Sequence, residues 1–172
     1  MQGALIQAWE LTLHSPRLWH FGQAHLAYSN QIAQQIGPIT GGLVCYSPSD
    51  PSVCAVAPGY SALDHDQRNT LNVGFNGNLP FKVFGSFNMY YGSGFSNGYQ
   101  APPSPYSGPY LPSHTTADLA LGRSFGERYT VSVTAMNVGN TRVLLDNSLT
   151  FGGFHYNDPR EIYGEFRYRF KF

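Results

Sequence analysis

The chain has 172 residues, of which only 12% are charged and 15% aromatic, and its ten basic and ten acidic side chains cancel. Soluble domains carry roughly 25% charged residues, so this composition points to a transmembrane barrel wall or a carbohydrate-binding β-sheet protein. No net field and no local basic run is present to attract nucleic acid. No stretch approaches roughly 18 consecutive apolar residues, which excludes a membrane helix.

Seven segments alternate with period two, the pattern of half-buried strands. In Leu5–His14, the positions Leu5, Gln7, Trp9, Leu11 and Leu13 oppose Ile6, Ala8, Glu10, Thr12 and His14. Pro16 turns the chain. Trp19–Gln31 alternates more softly. A long polar loop, Ile32–Asp66, follows. It holds Cys45, Cys54 and the Asp64-His65-Asp66 cluster. Arg68–Leu79 alternates most clearly: Leu71, Val73, Phe75 and Leu79 against asparagines, Thr70 and Gly74. Pro80 marks a tight turn into Phe81–Gly92. A second long loop, Ser93–His114, contains A-P-P-S-P-Y-S-G-P-Y. That run cannot hold a regular ladder. Thr115–Ser124 and Arg128–Asn137 are joined by Phe125-Gly126-Glu127. The loop Val138–Arg160 leads to Glu161–Phe172. In this last segment Ile162, Gly164, Phe166, Tyr168, Phe170 and Phe172 oppose Tyr163, Glu165, Arg167, Arg169 and Lys171.

The connections alternate short and long, so short turns should gather on one rim and long loops on the other. Outer-membrane barrels have this asymmetry. The polar faces are Thr, Asn, Ser, Gln and His rather than dense Lys and Glu, as suits a watery or plugged lumen. Lipid offers no partner to backbone polar groups, so a membrane sheet must close. Single-chain bacterial barrels normally use an even number of strands, and seven cannot close in the usual way. The N-terminal run M-Q-G-A-L-I-Q-A-W-E lacks the marks of a signal peptide. Both features lead us to expect further strands and an export signal upstream.

No catalytic motif is present: no G-x-S-x-G, no H-E-x-x-H and no phosphate-binding glycine loop. The chain is therefore read as a non-enzyme with no cofactor. Asp64, His65 and Asp66 are read as the polar start of a strand rather than a metal site, because adjacent strand residues point to opposite faces. Cys45 and Cys54 are candidates for a local disulfide, which fits an oxidising compartment; two free thiols is the plain alternative. Asp158-Pro159-Arg160-Glu161 is expected to fix a loop and set a rim ion pair. Tyr99, Tyr106, Tyr110, Phe154 and Tyr156 are candidate ligand contacts in external loops, since rings beside Gly, Ser and Pro can stack on sugars or planar chelates; ordinary loop packing is the bland reading. Glu165, Arg167 and Arg169 are expected to face the lumen, where they can meet a plug through charge-assisted hydrogen bonds. Trp9, Trp19, Tyr168, Phe170 and Phe172 are natural interface anchors.

The text T-T-A-D-L-A-L-G-R-S-F-G-E-R-Y-T-V-S-V-T-A-M-N-V-G-N-T-R-V-L-L-D-N, with F-G-G-F-H-Y-N-D-P-R-E-I-Y-G-E-F-R-Y-R-F after it, resembles the C-terminal end of TonB-dependent outer-membrane receptors, most of all a subgroup from soil bacteria such as the Acidobacteria. Asp66-Gln67-Arg68 resembles the family's D-Q-R-H strand start, with Asn69 where His is common. Asn137-Val138-Gly139-Asn140 resembles its N-x-x-N step. Phe172 matches the terminal aromatic presented to the barrel assembly machinery. The resemblance implies an all-β antiparallel transmembrane barrel of about 22 strands, of which residues 1–172 would supply the last seven. It implies a nutrient receptor and transporter in the bacterial outer membrane. Its partners would be outer-membrane lipid and the assembly machinery, with the plug domain and energy transducer engaged only through an absent N-terminal part. The alternatives are a passive porin-like channel and a soluble carbohydrate-binding β-sandwich.

Overall fold

A computed structural model describes residues 3–18, 21–36, 59–63, 65–98, 105–147 and 153–170. Cys45, Cys54, Trp19, Asp64, Tyr99 and Phe172 lie outside these, so the expectations placed on them are not addressed by the structure.

The described chain is all β apart from one 3-10 turn. Ten strands follow in order: β1 Gly3–His14, β2 Gly22–Ile36, β3 Ser61–Ala62, β4 Asn69–Leu79, β5 Val83–Gly92, β6 His114–Phe125, β7 Tyr129–Met136, β8 Leu144–Asp146, β9 His155–Tyr156 and β10 Glu161–Tyr168. Seven of them form one antiparallel path, β1-β2-β4-β5-β6-β7-β10, in strict chain order. These are the seven segments marked by alternation. The short β3 adds to β2, and β8 pairs with β9 inside the third long loop. Sequence reading missed all three, because strands of two or three residues carry no periodicity. It also ended the second strand too early. The observed β2 runs to Ile36, since β1 pairs with it up to Gly3↔Ile36.

The short connections close tightly. Between β1 and β2, Ser15 N donates to Ala24 O at 2.9 Å and Ser15 Oγ accepts from Ala24 N at 2.8 Å. Pro80 leads a turn in which Phe81 and Lys82 both take left-handed backbone, φ 62° and 58°. Side chains other than Gly, Asn and Asp rarely adopt that region. Phe81 is nonetheless 81% exposed. Gly126 closes the β6–β7 turn at φ 61°. All three short turns lie at one rim and the described ends of the three long loops at the other, as expected.

Register joins the apolar residues into one band. Leu13, Leu26, Val73, Met89 and Ala117 follow one cross-strand row. Phe75, Phe87, Leu119, Ala135 and Ile162 follow another. Leu121, Val133 and Gly164 form a third. No second layer covers this band among the described residues: Leu121 is 55% exposed, Val133 50% and Phe166 66%. The opposite face carries Asn72, Asn76, Asn88, Asp118, Thr130 and Ser132, with aromatic rings laid over cross-strand glycines. His25 covers Gly74 and Phe84 covers Gly122. A Cβ on Gly122 would stand 2.3 Å from Phe84 Cζ. Gly122→Val should therefore destabilise the β5–β6 pair by about 1–3 kcal/mol. Comparing the urea midpoints of the wild-type and G122V chains in detergent checks this.

Pairing also drifts along the sheet. At one end, β1 and β2 run past β4 toward the long-loop rim; at the other, β7 and β10 share rows only with the short-turn half of β6. Such a stagger is the shear that tilted strands produce. Among the described residues the path ends on two unpaired edges, β1 and β10.

Candidate functional site

The buried side chains gather at the long-loop rim rather than inside the sheet. Leu111, Val143 and Leu144 are buried there, with Asp66, Gln67, Ser96, Asn97, Asn137, Asp146 and Asn147. A buried polar group is costly unless it is hydrogen-bonded, and this rim meets most of that cost with a loop-to-loop network, Gln67 Nε2 being an exception.

Asp66 is its centre. It is 2% exposed. β2 extends beyond β4 at this point, so on the side away from β1 the Ala33 N–H has no β4 carbonyl to meet. Asp66 Oδ1 accepts from Ala33 N at 2.9 Å. Tyr110 Oη donates to Asp66 Oδ2 at 2.7 Å and accepts from Arg68 Nε at 2.6 Å. Arg68 Nε lies 3.4 Å from the same carboxylate oxygen. Burial raises the Tyr110 phenol above its ordinary value; the Arg68 hydrogen bond opposes this and the Asp66 hydrogen bond adds to it. The hydroxyl thus stays a donor. Gln67 points to the neighbouring strand, where its Oε1 accepts from Tyr90 Oη. The Asp-Gln-Arg run is a polar strand start, as expected, and it ties the first long loop to the second.

The second loop docks on this base. Ser96 N donates to Asp66 O at 2.8 Å, and Ser96 Oγ donates to Leu63 O at 2.9 Å. Phe95 stacks on His114 with ring centres 5.7 Å apart. Asn97 Nδ2 donates to Gly108 O at 2.7 Å, while Asn97 Oδ1 accepts from Asn147 Nδ2 at 2.6 Å. The second and third loops are therefore clasped by an asparagine pair that alternation could not reveal.

Asn137 organises the third loop. It sits at φ 47°, a backbone asparagine tolerates. Its N–H donates to Asp118 Oδ1 at 2.8 Å, its Nδ2 to Thr141 O and Asp158 O at 3.0 and 3.2 Å, and its Oδ1 accepts from Thr141 N at 2.9 Å. Asn140, at φ 50°, accepts from Arg160 N at 2.9 Å. The Asn137–Asn140 step is a turn that stops β7 and starts the loop. Arg160 donates to Val138 O at 3.3 Å. The Asp158–Glu161 run fixes the loop as expected, but through backbone groups; the expected ion pair is not among the described ion pairs.

The candidate ligand contacts divide. Tyr110 belongs to the Asp66 network, and its hydroxyl is already engaged. Tyr106 meets Phe154 edge to face at 6.4 Å, and Arg142 lies 3.8 Å over the Tyr156 ring. Phe154 and Tyr156 are two residues apart and both exposed. These rings, with Arg142 whose part the sequence did not suggest, pack as two pairs within the second and third loops. Glu165 and Arg167 share the polar face of β10 and pair at 2.6 Å, both well exposed. Arg169 N donates to Arg128 O at 2.8 Å, and the Arg167 and Arg169 side chains line a shallow recess by the last short turn. The expected anchors Tyr168 and Phe170 sit at the short-turn rim, 4.6 Å apart. Trp9 instead lies level with the long-loop ends of the central strands, packed on Tyr28 at 5.1 Å. No group of three or more His, Cys, Asp or Glu side chains is placed to hold a metal among the described residues.

The class defined by this geometry is an all-β, one-layer antiparallel meander with a polar loop-packed rim. Comparison with family models, curated proteins and solved structures gave no match.

Proposed function

We propose that the chain is the wall segment of an outer-membrane β-barrel receptor of the TonB-dependent type, which takes up a nutrient. The observation that carries this reading is the uncovered apolar band across seven strands, opposite a polar face. A soluble sandwich would bury such a band under a second layer, and lipid would cover it in a membrane. The one-directional stagger, the short turns opposite long loops, and the rings of Phe21, Phe81, Phe125, Tyr129, Tyr168 and Phe170 near the short-turn rim support the same reading.

The free edges determine what completes it. With seven strands in order, β1 and β10 run in the same direction. An antiparallel ring then needs an odd number of further strands, supplied by polypeptide beyond these seven. The segment's own role is structural: it presents a polar lumen wall and three external loops, with Tyr106 in the second and Arg142, Phe154 and Tyr156 in the third. It performs no covalent chemistry.

A single-tryptophan chain, W19F, tests the membrane part. Trp9 lies on the apolar face, so brominated lipid should quench its emission in reconstituted vesicles. Emission that ignores the bromine would sink the lipid-facing assignment. For transport, uptake by cells carrying the whole receptor should cease when the energy transducer is deleted; uptake that persists would favour a passive channel.

A further inference from the structure

We propose that Arg123 grips the phosphate of a lipid headgroup and seats an anionic phospholipid at the short-turn end of β6. The inference rests on the reading of the apolar band as lipid-facing. Among the described residues of the seven paired strands, the apolar face holds one charged side chain, and it is Arg123. Register fixes its face. Arg123 stands between Val83 of β5 and Val131 of β7, and it shares its side of β6 with Leu121 and Phe125. A guanidinium is always charged and carries five N–H donors. No described residue gives Arg123 an ion pair or a hydrogen-bond acceptor; its contact is the Phe125 ring, 5.0 Å from Cζ to the ring centre.

A cation in an apolar layer needs an anion or water, and the side chain points to where both are found. Phe125 lies nearer the β6–β7 turn than Arg123 does, so a guanidinium over that ring leans toward the short-turn rim. Long basic side chains snorkel in this way, with the stem in the apolar layer and the charge at the headgroups. Lipid phosphate lies at that depth, and a guanidinium meets phosphate through paired, charge-assisted hydrogen bonds. Val83, Leu121 and Val131 surround the stem, which suits acyl chains rather than a hydrated free ion. The neighbouring charge favours an anionic lipid. Lys82 Nζ donates to Gly126 O at 3.2 Å, which brings a second cation to the same strand end. Glu127, the acid of that turn, lines the recess with Arg128, Arg167 and Arg169. Phe125 and its partner Tyr129 are exposed rings of the kind found at headgroup level.

The test uses the 172-residue chain, labelled at the arginine Cζ, in vesicles of phosphatidylcholine and phosphatidylglycerol. Solid-state magnetic resonance reads the dephasing of Cζ by lipid phosphorus, and mass spectrometry reads the phosphatidylglycerol retained on extraction into maltoside. The wild type should show a dephased component that is missing from both Arg123→Gln and Arg123→Lys. Retained phosphatidylglycerol should fall about fivefold in R123Q and much less in R123K, which keeps the charge. R169Q, changed on the polar face, should match the wild type in both. The same dephased component in R123Q as in the wild type would overturn the proposal. So would equal dephasing of the wild type by inorganic phosphate in lipid-free maltoside micelles, which would make the site one for a free anion. Trp9 emission of the W19F chain, read in the same vesicles with brominated lipid, separates this proposal from the reading it rests on. Quenching without an Arg123 signal would sink the phosphate grip alone, whereas loss of both would sink the lipid-facing band with it.

Discussion

Arginine at Leu121 or Val133 should abolish insertion of the chain into lipid, whereas arginine at Ser132 should leave insertion intact. The three positions are neighbours. Leu121 pairs with Val133, and Ser132 is the next residue on the same strand. They differ in face alone: Leu121 and Val133 lie in the exposed apolar band, 55% and 50% accessible, and Ser132 lies on the other side between Gly122 and Glu165, beside Thr130 and Thr134. On a lipid-facing barrel position, arginine near the midplane costs about 2–4 kcal/mol, and on a lumen position little. Recovery of each variant in flotated vesicles, with migration on unheated gels, reads the difference. Equal insertion of L121R and S132R would mean that the apolar band does not meet lipid. A soluble, monodisperse S132R chain without detergent would point to a protein layer in place of the membrane.

Asp66→Ala should release the long-loop rim while leaving the seven-strand ladder in place. The Asp66 carboxylate accepts from the Ala33 N–H and the Tyr110 hydroxyl and pairs with Arg68. Its removal strands a half-buried guanidinium and a backbone donor of β2 at once. Cutting one partner from a buried charged pair costs about 3–5 kcal/mol; the partial exposure of Arg68, 29%, lowers the expectation here to about 2–3 kcal/mol. Proteases should cut within residues 93–113 far sooner in D66A than in the wild type, with the far-ultraviolet strand signal unchanged. Asp66→Asn keeps an acceptor and should recover part of the protection. Simultaneous loss of strand signal and loop protection in D66A would show that the rim network and the ladder fold as one unit.

Much of the wall was legible in the sequence because a strand's two faces are fixed by alternation alone. Leu71, Val73 and Phe75 belong to one face whatever lies beside them. Pro80 and Gly126 marked turns for local backbone reasons, and the Asp66-Gln67-Arg68 run was read as a strand start. The rim was mostly not legible. Asn97 and Asn147 look like loop fillers until two loops, separated by β6 and β7, bring them to 2.6 Å. Tyr110 was a candidate ligand contact in the sequence and is a half-buried hydroxyl donor in the structure. The level of Trp9 along the wall was not legible either, because β1 and β2 extend past their neighbours and that extension is a property of register.

The division has one physical origin. Short-range sterics and the two-residue repeat assign a side chain to a face, so the sequence by itself determined seven strands, two faces of opposite polarity, and the alternation of short and long connections. Which residue sits beside which is decided by hydrogen bonds between strands far apart in the chain. Tertiary structure alone therefore determined the staggered register, the continuity of the apolar band, the Asp66 hub and the rings laid over glycines. It also showed two edges unpaired among the described residues: backbone donors and acceptors there have no described partner within the sheet, and no pattern of side chains can supply one.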